Sequence, residues 1–463
     1  MNLMGRRGSP RSPRTSLAGW TGGRPADGPS AFSSSLGLMA GRVASMGLGF
    51  LAWLVAARLF APDEVGLASG AVAAMMFCVQ LALIGIGSAV IALFPRHRDD
   101  PEALLNTSLL SVALVAILMG GAFLVLARGV FRELDTVAAT PVLALAFIAM
   151  TLFGAVNVLM DNLSVAIRRG DQVLTRNVAF GMVTIGVPLA LSRVGPGYGT
   201  WVILLAWTLA GLAACTIGAF QVHRTLPGFR PRIELRLPLA RRLVGVGLPN
   251  WALTMTERGP ALLMPVLVTE LISPTTNAFW YAAWMMAWVV MIIPISVGQT
   301  LFAEAAREPD RAGAATRHGL LTSLGLGVLA AAGMALLARF ALGLLGSAYA
   351  DAGVGALRVL VVTVVPFSLI QAYYALCRAG GRLGEATAAG AIFGAAAVAA
   401  ALAAGIANGL TAMAAGWLIV QCLAGGWAAL RLRVLARTAG SPRAAPATDR
   451  LEGPREEGSA PTP

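Results

Sequence analysis

The chain has 463 residues, 57% of them hydrophobic and 12% charged, with a mean hydropathy of +0.74 and a formal charge of +13. Soluble domains carry about 25% charged residues, so half that share excludes an ordinary water-solvated globule and makes the bilayer the solvent. All 35 basic residues are arginine; without lysine neither a P-loop nor a Schiff base can be built, and with only His97, His223 and His318 a multi-histidine metal site is not expected.

In chain order, segment 1–35 is rich in Ser, Gly, Pro and Arg, lacks an apolar core, and reads as a disordered basic tail with no signal peptide. Apolar windows of roughly 20 residues, the length that crosses about 30 Å of hydrocarbon, follow. They fall at 36–60, 66–94, 105–127, 138–160, 173–192, 200–222, 244–270, 277–303, 318–342, 355–377, 386–406 and 409–430. Segment 438–463 is a second polar tail. Cys78, Cys215, Cys377 and Cys422 lie in separate windows and read as buried thiols.

Twelve spans place both termini on one side. The tails and loops of that side hold 27 arginines; the other side has Arg58, Arg128, Arg132, Arg193, Arg339 and Arg358. By the positive-inside rule the arginine-rich side is cytoplasmic, and arginines segregated in this way exclude a nucleic-acid binder. The longest loop, 223–242, is a basic linker between an N-lobe, 36–222, and a C-lobe, 243–437. At an offset of 212 residues the first turn of one half overlies that of the other, with Pro62 on Pro274 and Gly66 on Ala278. Each half has an even number of spans, so the repeats are parallel. The expected fold is an all-α polytopic membrane protein of twelve transmembrane helices in two parallel six-helix repeats, the usual build of an alternating-access transporter.

Polar residues inside the windows are the functional candidates. Arg258 lies near the middle of the seventh window, where an arginine costs about 2.5–3.5 kcal/mol and needs a partner or a wet cavity. Its neighbour Glu257 points about 100° away. Arg42, in the first window, maps by the repeat onto Thr254, one turn before Arg258 on the same face. Asn250 and Thr254 join them in a span that also carries Pro249, Pro260 and Pro265, and the set is the expected lining of a central cationic cavity; the alternatives are that Arg42 snorkels to the cytoplasmic interface and that the proline-rich span is a kinked, buried helix. Gln80, Asn157, Gln299 and Gln371 are further candidates for that cavity or for helix-to-helix hydrogen bonds. Asp161, Arg168 and Arg169 form a charged end to the fourth span, an expected cytoplasmic gate or interfacial anchor. The residues suggest no catalytic set, cofactor or metal.

The run ARLFAPDEVGLASGAVAAMMFCVQLALIGIGSAVIALFPR, residues 57–96, resembles the first-loop and second-helix pattern of the Wzx-type polysaccharide flippases of the MOP superfamily, through Arg58, Leu59, Pro62, Asp63, Glu64, Gly66, Gly85 and Gly87. LGLLGSAYADAGVGALRVL, 342–360, is similar to the segment before their tenth helix. The resemblance implies a MATE-like fold in the cytoplasmic membrane and flipping of an undecaprenyl-pyrophosphate-linked oligosaccharide for surface polysaccharide or lipopolysaccharide biosynthesis. Cavity arginines, here Arg42 and Arg258, would engage the anionic head. Implied partners are that lipid-linked oligosaccharide, membrane lipids, and the polysaccharide polymerase and glycosyltransferases of the same process. Two alternatives stand beside it. A cation-coupled multidrug exporter of the same superfamily needs an intramembrane acid, for which Glu257 is the candidate. A membrane glycan polymerase or glycosyltransferase needs long external loops, and those here are short.

Overall fold

The computed structural model describes residues 31–96, 101–192, 197–226, 229–308 and 312–438, with side chains also left aside at 31–40, 42–43, 312 and 436–438. Both expected tails, 1–35 up to Ala31 and 438–463 beyond Thr438, and the side chain of Arg42 lie outside these residues. Among the described residues the fold is helical throughout, with no strand.

The helices are α1 (Ala31–Leu59), α2 (Pro62–Leu83), α3 (Ile86–Leu93), α4 (Pro101–Val130), the short α5 (Asp135–Ala139), α6 (Pro141–Ala166), α7 (Gly170–Ala190), α8 (Gly199–Thr225), α9 (Leu237–Leu271), α10 (Pro274–Arg307), α11 (Ala312–Gly343), α12 (Ser347–Val362), α13 (Val364–Ala379) and α14 (Leu383–Thr438). Among the described residues eight helices are long and apolar enough to cross a membrane, nine if α12 and α13, bent by 42°, form one broken span. The chain is therefore a multi-pass membrane protein.

The difference from twelve has physical causes. The described apolar part of α1 is only Ala44–Leu59. In α9 the side chains of Asn250, Thr254, Thr256, Glu257 and Arg258 interrupt the apolar run. The eleventh and twelfth windows share α14, whose helical geometry breaks at Asn408 and Gly409. The tenth window is divided at Thr363 between α12 and α13. The second window is also broken, at Ile84 and Gly85, both left-handed, but α2 alone still spans.

The chain forms two compact units, Met1–Tyr281 with Leu344–Gly346, and Ala282–Gly343 with Ser347–Pro463. The expected lobes divide the chain by repeat, whereas these units divide it by packing. In the first unit α2 is the central helix, packed by α4, α6, α8 and α9, while α1 lies along α7. Most of α2 is buried and it is built from small residues, Gly66, Ala68, Ser69, Gly70, Ala71, Ala73 and Ala74 among them. In a bilayer such residues let helix backbones approach closely. Gly66 lies against the Pro274 carbonyl and leaves no room for a Cβ; one on Gly70 would come 2.6 Å from the Thr269 hydroxyl. Asn277 closes this contact, its amide donating to the Gly66 carbonyl at 2.9 Å and to Ser69 Oγ at 3.0 Å. Pro62 and Pro274 open α2 and α10.

In the second unit α13 packs on α14 and α11, and α12 packs on α11 and α14. α14 doubles back at its break, so Gly416 rests on the Ala400 carbonyl, where a Cβ would lie 2.6 Å away. Ser323 and Ser368 bond at 2.9 Å, and Trp284 meets Trp417 edge to face at 4.9 Å.

Candidate functional site

α9 carries the densest set of intramembrane polar side chains expected from the sequence, and the first unit fixes its position. One side of α9 packs on α2 and α3, with Gly247 against Gly85 between them, and Leu243, Gly247 and Leu253 are buried. The Trp251 indole N–H donates to the Gln80 carbonyl at 2.7 Å, bringing Gln80, itself half-buried, beside α9. Asn250, Thr254 and Arg258, spaced four residues apart, form a ladder about 12 Å long on one helical face. Asn250 and Arg258 are exposed and Thr254 is half-buried, its hydroxyl donating to the Asn250 carbonyl at 2.9 Å. Glu257 is half-buried on an adjacent face.

Pro249, Pro260 and Pro265 lie inside α9, and each removes a backbone N–H. α9 is thus a helix with loosened hydrogen bonding around its charged residues. Its far end is held firmly. The Glu270 carboxylate accepts three backbone N–H groups of the loop before α5, from Arg132 (2.7 Å), Glu133 (3.2 Å) and Leu134 (2.7 Å). Chemically the ladder offers a guanidinium, an amide and a hydroxyl, donors suited to anionic or polyhydroxyl groups.

The remaining expected residues are dispersed. Asn157 is half-buried in α6, and among the described residues its Oδ1 has no hydrogen-bond partner. Gln371 is buried in α13, its side chain against Gly298 of α10, and Gln299 is exposed. Asp161, Arg168 and Arg169 do not form one cluster. Arg169 pairs with Asp171 at 2.8 Å, Arg168 takes a left-handed backbone (φ 59°), and Asp161 turns inward.

The partner of Asp161 is Arg176, near the start of α7. Arg176 is fully buried, and its guanidinium donates to Asp161 at 2.7 Å, to Ser164 at 3.0 Å and to Gln221. Gln172 extends the network to Ser164 (3.2 Å) and Thr225 (2.7 Å), so the ends of α6, α7 and α8 are bound together. The signal in the sequence was there: Asp161 with Ser164, Gln172 with Arg176, and Gln221 with Thr225 stand three or four residues apart at the ends of successive windows. The second unit has its own clasp, in which Glu385 accepts from Arg431 at 2.7 Å and from the Tyr373 hydroxyl at 3.1 Å.

No family model and no curated relative matches the chain. Solved structures do. The inward-facing form of a multidrug resistance MATE family transporter of the MOP superfamily aligns with a TM-score of 0.62 at 14% identity, over 85% of this chain and 96% of that one. A MOP superfamily transporter from Pyrococcus furiosus, described as having a binding pocket of reverse polarity, gives 0.59 at 13% identity over 89% and 96%. A Vibrio cholerae MATE transporter gives 0.58 at 15% identity over 88% and 96%. The chain has the fold of the MATE transporters of the MOP superfamily.

Proposed function

We propose that the protein is an alternating-access transporter of twelve spans in the cytoplasmic membrane, termini inside, that flips an undecaprenyl-pyrophosphate-linked oligosaccharide for export of a cell-surface polysaccharide. The observation that carries this reading is the Asn250–Thr254–Arg258 ladder on α9. With α9 read as a span, a guanidinium at its middle is costly unless it meets a partner or water, and it offers bidentate hydrogen bonds to phosphate oxygens. The amide and hydroxyl beside it suit sugar hydroxyls. A polar diphosphate head needs a protein path through hydrocarbon, while its polyprenyl tail stays in lipid. The MATE fold supports transport as the class of activity.

Glu257 supports a second reading. A half-buried intramembrane carboxylate is what a cation-coupled drug exporter needs, and multidrug resistance transporters share this fold. Cells lacking the gene distinguish the two. Under the flippase reading, wild type restores surface glycan, Arg258→Ala does not, and Glu257→Gln leaves drug sensitivity unchanged. Loss of drug resistance in Glu257→Gln, with glycan unaffected by Arg258→Ala, establishes the exporter.

A further inference from the structure

The linker between α8 and α9 has a shape that chain connection alone does not require. α8 and α4 are membrane-spanning by length and apolarity, and the linker passes from the end of α8 along the first turns of α4, which places it at the bilayer boundary. Its backbone is pinned there. The Asn106 amide donates to the Arg230 carbonyl (3.2 Å) and accepts from the Arg232 N–H (3.2 Å), and Thr107 Oγ accepts from the Arg236 N–H (3.3 Å).

Between these anchors Glu234 N–H donates to the Arg232 carbonyl at 2.9 Å, a three-residue turn with Ile233 at its apex. Ile233 is 95% exposed, and Leu235 and Leu237 are also exposed. An isoleucine fixed outward beside arginines is misplaced in water and well placed at a lipid interface, where the apolar side chain reaches the acyl boundary and the guanidiniums meet phosphates. The charge is one-sided. Arg230, Arg232, Arg241 and Arg242 are exposed, and the one acid, Glu234, is neutralised by Arg236 at 2.7 Å.

We propose that this linker is a docking surface for anionic phospholipid headgroups of the leaflet at which α8 ends and α9 begins, with Ile233 inserted beneath the phosphates. The occupant follows from charge complementarity and from the apolar tip, which a soluble phosphate ion would leave in water. Such contacts are worth about a fivefold change in affinity per arginine near the surface.

The test uses the full-length protein in detergent, titrated with phosphatidylglycerol or phosphatidylcholine and read by native mass spectrometry. Wild type binds phosphatidylglycerol in preference, and the preference fades as salt is raised. Arg230→Gln with Arg232→Gln weakens phosphatidylglycerol binding about 25-fold and leaves phosphatidylcholine binding and thermal stability unchanged. The paired lysine variant retains the preference, and Ile233→Asn weakens both lipids. Unchanged phosphatidylglycerol affinity in the double glutamine variant overturns the proposal. So does equal competition by inorganic pyrophosphate, which would mark a site for free phosphate.

Discussion

The backbone of Gly247 in α9 rests directly on that of Gly85 at the break between α2 and α3: a Cβ on Gly247 would lie 2.8 Å from the Gly85 Cα and closer still to its carbonyl. Gly85 also has a left-handed backbone, φ 77°. This contact sets α9, with its polar ladder, against the central helix of the first unit. Gly247→Ala overpacks it and is expected to cost about 1–3 kcal/mol, read as a lower unfolding temperature in detergent. Gly85→Ala adds backbone strain of about 1–2 kcal/mol and is expected to be the more damaging. Equal stability of all three proteins would show that the helices part at this point.

The pair of fully buried Arg176 and half-buried Asp161 gives a second prediction. Removing one partner of a fully buried pair costs about 3–5 kcal/mol because the other charge is left uncompensated, and the partial exposure of Asp161 lowers that cost when Arg176 is the residue removed. Arg176→Met is therefore expected to destabilise, by less than that figure. Arg176→Met with Asp161→Leu is expected to recover most of the loss, and a double-mutant cycle on thermal unfolding measures the coupling. Additive effects would show that the two side chains do not interact.

Much of the fold was legible because bilayer crossing imposes long apolar windows, and each window falls on helix. The breaks were harder. Ile84 and Gly85 interrupt an apolar run without changing its hydropathy, and α14 hides a reversal at Asn408 and Gly409. At the candidate site Asn250, Thr254, Glu257 and Arg258 were legible because charge and proline are conspicuous in a membrane helix. Arg176 was not, since an arginine near a span end reads as an interfacial anchor until its partner on another helix is known. Glu270 is illegible for a similar reason: its partners are backbone N–H groups, which leave no mark in the sequence.

Glu270 supplies a third prediction. A carboxylate accepting three backbone N–H groups is a charge-assisted cap, and Glu270→Gln removes the charge and replaces one acceptor oxygen by a donor. A loss of about 1.5–3 kcal/mol is expected. The loop at 131–134, with α5 behind it, should become more sensitive to protease before the rest of the protein unfolds. Unchanged protease sensitivity of that loop would show that the cap does not hold it.

Arg258 supplies the last and most direct test. In vesicles containing the purified protein and a fluorescent polyprenyl-diphosphate-linked oligosaccharide, transfer between leaflets is read by quenching from outside. Wild type is expected to transfer the lipid. Arg258→Ala, folded and inserted as wild type, is expected to be slower by about 10-fold or more, the loss of one charge-assisted phosphate contact. Transfer at the same rate by wild type and Arg258→Ala, or no transfer by wild type, would contradict the account.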